Sequence, residues 1–182
     1  MMLNYEVLIR TMNTPNPNAY KFVTNGPFKE SGKATFNSKL EGDGIRLIED
    51  IFDLEDVLQI HLFENVMTVT FKEGSELDEG VKKVTAVIQT RLPIHDPKFL
   101  LPGEKEVKKR KENLSPELQQ IEEILDRTIR PGLQADGGDL EVISYEENLL
   151  TISYEGACGT CPSSMYGTLD AIQSILRHEY SP

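Results

Sequence analysis

Residues 104–112 read Glu-Lys-Glu-Val-Lys-Lys-Arg-Lys-Glu and follow directly on Pro102-Gly103. With Val107 as its one apolar side chain, this run cannot bury the surface that would offset the entropy of ordering it in a core. It divides the chain. Residues 101–113 read as a charged, solvated linker with scope for some helix, between a unit of residues 1–100 and a second of residues 114–182. The second unit is small enough that dimerisation or a bound metal would add needed stability.

In the first unit the apolar residues alternate or recur as an α+β pattern. Strands are predicted over Tyr5–Arg10, Tyr20–Thr24, Ala34–Phe36, Val57–Phe63 and Val66–Phe71, the last two forming a hairpin about Asn65. Thr14-Pro15-Asn16-Pro17-Asn18 is a turn cluster, readable as a structural turn or as a recognition loop. One helix, capped by Asp43, sets Ile45, Ile48 and Phe52 on a face widened by Leu47 and Ile51. A second starts near Ser75 and points Leu77, Val81, Val84 and Ile88 inward.

The second unit reads helix, β-hairpin, helix. Ser115 is a good N-cap ahead of Pro116, Leu118, Ile121, Leu125 and Ile129 make the buried stripe, and Pro131-Gly132 ends the helix. Asp136-Gly137-Gly138-Asp139 is a glycine-centred turn rather than a working carboxylate pair, and strands follow over Leu140–Tyr145 and Leu149–Tyr154. The only two cysteines then arrive together, in Gly156-Ala157-Cys158-Gly159-Thr160-Cys161-Pro162. Behind them Met165, Leu169, Ile172 and Leu176 recur at helical spacing. Pro162 suits the first helical position, which makes Cys161 the N-cap and predicts that the helix dipole favours both thiolates. Gly167, inside that helix, suggests close packing there, within one subunit or across a dimer.

A C-x-x-C pair can chelate one metal, share the edge of a cluster, or close a small disulfide ring. Cys158 and Cys161 are therefore the candidate metal and cofactor ligands. The histidines His61, His95 and His178 are read as surface or packing residues, and no Ser/His/Asp set or phosphate loop supports an enzyme. The net charge of −11 argues against nucleic acid as a partner. It is unevenly spread: −4 over residues 1–100, +2 over 101–113 and −9 over 114–182, so the cysteine-bearing segment is the acidic one. No apolar run is long enough to suggest a membrane span, and the opening residues lack the pattern of a signal peptide, which gives the expectation of a cytoplasmic protein.

Taken together, Ile129-Arg130-Pro131, Asp136-Gly137-Gly138-Asp139, the hairpin, and Gly156-Ala157-Cys158 followed by Cys161-Pro162-Ser163-Ser164 resemble the C-terminal domain of the NifU family of iron–sulfur cluster scaffolds and carriers. Thr14-Pro15-Asn16-Pro17-Asn18-Ala19 with Lys21-Phe22 is similar to the opening of the N-terminal domain of its two-domain, Nfu-type members. The resemblance implies a homodimer that holds a labile 4Fe–4S cluster, or a 2Fe–2S form, between subunits through Cys158 and Cys161. It further implies an upstream scaffold as donor and apo iron–sulfur proteins as acceptors, with no enzymatic turnover. The ligand count points the same way, because a 4Fe–4S cluster takes four thiolates and this chain has two. Two rivals use the same residues: a dithiol–disulfide oxidoreductase in which Cys158 attacks and Cys161 resolves, and a structural zinc site bridging two chains. Where many family members continue past the cysteines with Thr-Leu-Lys, this chain has Thr168-Leu169-Asp170, a more acidic sequence bearing on partner preference.

Overall fold

The computed structural model describes residues 6–159 and 161–180. The chain splits into two compact units, Met1–Phe99 and Leu100–Pro182, each mixing helices with an antiparallel sheet, so the α+β reading holds.

The first unit is a five-stranded sheet with strands β1 (Ile9–Asn13), β2 (Ala19–Thr24), β3 (Lys33–Phe36), β4 (Val57–Phe63) and β5 (Val66–Phe71). Their spatial order is β1-β2-β5-β4-β3, every pairing antiparallel. Cross-strand register puts Phe22, Met67, Leu62 and Ala34 in one row and Val69, Ile60 and Phe36 in the next. All of these are buried, and with Leu47, Ile48 and Ile51 of helix α1 (Arg46–Phe52) and Val84 and Ile88 of α2 (Leu77–Arg91) they form the core. Each large side chain removed from water here contributes roughly 1.5–3 kcal/mol.

Two expectations shift in this unit. Of the strand predicted over Tyr5–Arg10, Tyr5 lies outside the described residues, and pairing carries β1 on to Asn13 instead of stopping at Arg10. The cause is the Thr14–Asn18 loop, which closes on itself: Thr14 Oγ1 donates to the carbonyl oxygens of Asn16 (2.9 Å) and Ala19 (3.0 Å), and Asn16 Oδ1 accepts from Asn18 N (3.0 Å). Asp43 does not cap α1, whose N-cap is Ile45. Asp43 instead terminates a 3-10 turn, Lys39–Gly42, whose cap Ser38 accepts from the Glu41 N–H.

In the second unit the charged run forms helix α3 (Glu104–Glu112), and Arg110 of α3 donates to the Ile143 carbonyl. Helix α4 (Pro116–Thr128) starts as predicted, with Ser115 Oγ accepting from Leu118 N at 3.3 Å. Pro131 does not end the helical path; it sits in the first turn of a short helix α5 (Arg130–Ala135), where its fixed φ is already suited to a helix start. The hairpin strands are β6 (Gly138–Glu146) and β7 (Leu149–Gly156). A bulge between Val142 and Ser144 resets the alternation, so Leu140, Val142 and then Tyr145 join the core while Ile143 stays exposed. Helix α6 (Pro162–Glu179) closes the unit, and its Ile172 meets Ile121, Leu125, Ile129, Leu133 and Leu140 in one cluster that also contains Cys158.

Candidate metal centre

The alternation of β7 delivers the chain to Gly156, where φ is +67°, and a single 3-10 turn, Ala157–Gly159, follows. Cys158 sits in that turn. Cys161 is the N-cap of α6 in extended conformation, with Pro162 at the first helical position, so strand end, turn and helix start bring the two residues into one loop as the sequence suggested. The cap is made by the backbone, since the Cys161 side chain makes no capping hydrogen bond. Both cysteines are thiols, and both are buried, Cys158 at 4% exposure and Cys161 at 7%.

The floor of the loop is the start of the hairpin. Gly137 has φ +84° and its carbonyl accepts from Ala157 N at 3.2 Å, while Gly138 pairs with Gly156 across the ladder. Asp139 is 3% exposed; its carboxylate accepts from Leu140 N (2.7 Å) and from Gln134 Nε2 (3.4 Å) and lies 3.7 Å from Arg130 Nε. Arg130 also bonds Glu122 and Asp126 of α4, both at 2.5 Å. One guanidinium thus ties α4 to the glycine turn beneath Cys158. Its role was not legible beyond its place in a resemblance motif, although the Asp126–Arg130 spacing of four was a visible signal.

The electrostatics overturn one expectation. The Cys158 thiol is not eased toward thiolate; its pKa is pushed up to about 11, first by burial and then by the nearby charges of Asp136, Asp139 and Cys161. Those effects outweigh any help from the start of α6. Burial, followed by the proximity of Cys158, likewise raises the Tyr154 hydroxyl, whose oxygen lies 3.4 Å from the Met165 carbonyl.

Among the described residues no group of three or more His, Cys, Asp or Glu side chains is placed to hold a metal ion. His61 is buried in the first unit's sheet with Nδ1 2.8 Å from Thr35 Oγ1, His95 contacts the Phe28 carbonyl, and His178 lies exposed in the last turn of α6. Among the described residues, and leaving aside the backbone of its own helix and its chain neighbours, no atom lies within 4 Å of where a Gly167 side chain would begin. No helix among the described residues is long and apolar enough to cross a membrane.

Comparison with known proteins gives two family matches in chain order: the N-terminal domain described as scaffold protein Nfu/NifU, over residues 9–93, and the NifU-like domain, over residues 121–182. The human protein named NFU1 iron-sulfur cluster scaffold homolog, mitochondrial, is 30% identical over 177 residues, covering 94% of this chain and 67% of that protein. NifU-like protein 4, mitochondrial, of Arabidopsis thaliana is 28% identical, covering 96% of this chain and 63% of that protein, so the chain spans a little under two thirds of that relative. A solution structure of a NifU-like protein from Saccharomyces cerevisiae is 17% identical and covers 50% of this chain and 84% of that one, with a TM-score of 0.45. The expectation of a cytoplasmic protein, which rests on the lack of a long apolar run and of a secretory-signal pattern, is corrected by the human and Arabidopsis relatives, which are named as mitochondrial. With both domains matched in order and the human relative covered to two thirds of its length, this protein belongs to the NifU/Nfu scaffold family.

Proposed function

We propose that this protein carries an iron–sulfur cluster as cargo, held by Cys158 and Cys161 from each of two copies of the chain as a 4Fe–4S unit and passed on to apo-proteins. In this reading an upstream scaffold supplies the cluster and the protein performs no enzymatic turnover. The observation that carries it is the ligand set: one loop gathers two thiols, and no third donor among the described residues stands with them. A cluster that takes four thiolates is completed by a second loop of the same kind. The names of the family and of its relatives supply the cargo class.

Release is the step a carrier must favour. Cluster binding removes the proton from each thiol, and at Cys158 that deprotonation is opposed by burial and by Asp136 and Asp139. Those carboxylates also repel a four-thiolate cluster, which is net anionic, so holding is weaker than in a neutral cradle and exchange with an acceptor's thiolates is favoured. Ligands split between two chains can part without unfolding either one. The hairpin that leads into the cysteine loop and the single helix that follows it differ from the βαβ setting of a thioredoxin-like dithiol, which speaks against the oxidoreductase.

The test is anaerobic reconstitution with iron and sulfide, read by native mass spectrometry together with visible absorption. A dimer with one 4Fe–4S unit is expected, and Cys158→Ala or Cys161→Ala should each abolish stable binding. A colourless zinc-bridged dimer, or a metal-free monomer that resists reconstitution, would overturn the reading. Two iron and two sulfide per dimer would replace the 4Fe–4S assignment by 2Fe–2S.

A further inference from the structure

Gly138 opens β6 opposite Gly156, directly under the 3-10 turn that carries Cys158. A side-chain carbon at position 138 would lie 2.5 Å from Cys158 Sγ and 3.0 Å from Cys158 Cβ, far inside contact distance, and 2.8 Å from the Glu155 carbonyl oxygen. Two of the three nearest atoms thus belong to the cysteine. Backbone conformation does not demand glycine here: Gly137 and Gly156 have positive φ, at +84° and +67°, but Gly138 does not. What position 138 supplies is space, and the sulfur fills it.

We propose that Gly138 is a positioning residue for Cys158: its missing side chain is the seat of the sulfur and fixes where that thiol stands in the loop. Cys158 packs in the same cluster as Leu140, Leu133 and Ile172, so a sulfur displaced from Gly138 cannot move inward without displacing core side chains. It moves outward, toward solvent. Cys161, held separately as the backbone cap of α6, keeps its place. The consequence for cluster holding rests on the carrier reading above; the placement of the thiol does not.

The experiment compares full-length wild type, Gly138→Ala, Cys158→Ala and the double variant, all reduced and oxygen-free. Iodoacetamide alkylation, resolved by peptide mass spectrometry, follows each cysteine separately. In folded Gly138→Ala the Cys158 rate should rise about tenfold while that of Cys161 stays within about twofold. A second readout is the double-mutant cycle on unfolding: Gly138→Ala should be less costly once Cys158 has become Ala, since its sulfur is gone. Unchanged Cys158 alkylation with equal costs in both backgrounds overturns the proposal. If Gly138→Ala fails to fold, rescue in the double variant supports it, and failure of both overturns it in favour of the Glu155 carbonyl contact. Iron uptake separates the two readings: loss of bound iron in folded Gly138→Ala links the seat to the cargo. A wild type that takes up no iron while Cys158 still responds in Gly138→Ala sinks the carrier reading and leaves the positioning role standing.

Discussion

At the scale of the residue, the second unit depends on a charge buried among three others. The Arg130 side chain is 10% exposed and serves Glu122, Asp126 and Asp139 together. Removing one partner of a buried ion pair costs about 3–5 kcal/mol, because the remaining charge stays desolvated without its counterion. Arg130→Ala should therefore lower unfolding free energy by about 3 kcal/mol, Asp139 keeping its Leu140 and Gln134 bonds as partial compensation. Arg127→Ala is the control. Its bridge to Glu179 is solvent-facing, with side-chain exposures of 67% and 31%, and its loss should cost under about 1 kcal/mol in the same urea titration. Equal losses would show that Arg130 is no clamp. The two cysteines were legible from spacing alone, since their positions follow from a strand, a turn and a proline. Arg130 was not, because two of its partners, Glu122 and Asp139, lie eight and nine residues away and meet it only after α5 has turned the chain.

At the scale of the element, starts were easier to read than stops. Ser115-Pro116 and Cys161-Pro162 each open a helix where the chain says they should, since cap chemistry and a fixed φ act within a few residues. Pro131 misled because the same fixed φ serves both to end one helix and to begin another, and packing decides between them. The bulge before Ser144 is likewise a tertiary choice: plain alternation from Leu140 and Val142 would turn Tyr145 outward with Ile143, and the shift in register is what brings Tyr145 onto the Tyr180 ring. The hairpin's own turn carries a measurable strain. Glu147 and Asn148 have φ of +50° and +64°, the pattern of a two-residue type I′ turn, for which asparagine and glycine are suited and glutamate is not. Glu147→Gly should stabilise the second unit by about 1 kcal/mol by relieving the side chain's left-handed conformation. A lower unfolding midpoint in Glu147→Gly would mean that the Glu147 side chain contributes more than its backbone costs.

At the scale of the whole molecule, the chain has two compact units, and the first holds a part-buried histidine against an aromatic ring. His95 lies against Phe99, with ring centres 5.8 Å apart, and its Nε2 is 2.7 Å from the Phe28 carbonyl. A carbonyl can only accept, so Nε2 carries the proton of the neutral ring. Burial lowers the His95 pKa below its ordinary 6.5, outweighing the Phe28 hydrogen bond and the Asp96 charge, both of which act to raise it. The folded state therefore prefers the neutral ring more than the unfolded state does. That contribution to stability is full above about 6.5 and is lost as the pH falls from there through the lowered folded pKa, because the unfolded chain takes up its proton first. Calorimetry of the full chain should then show the transition of the first unit moving down between neutral and mildly acidic pH. His95→Gln, which can still donate to Phe28 but does not titrate, should flatten that dependence while leaving the second transition where it was. A first transition equally acid-sensitive in His95→Gln would show that His95 is not the group whose protonation weakens that unit.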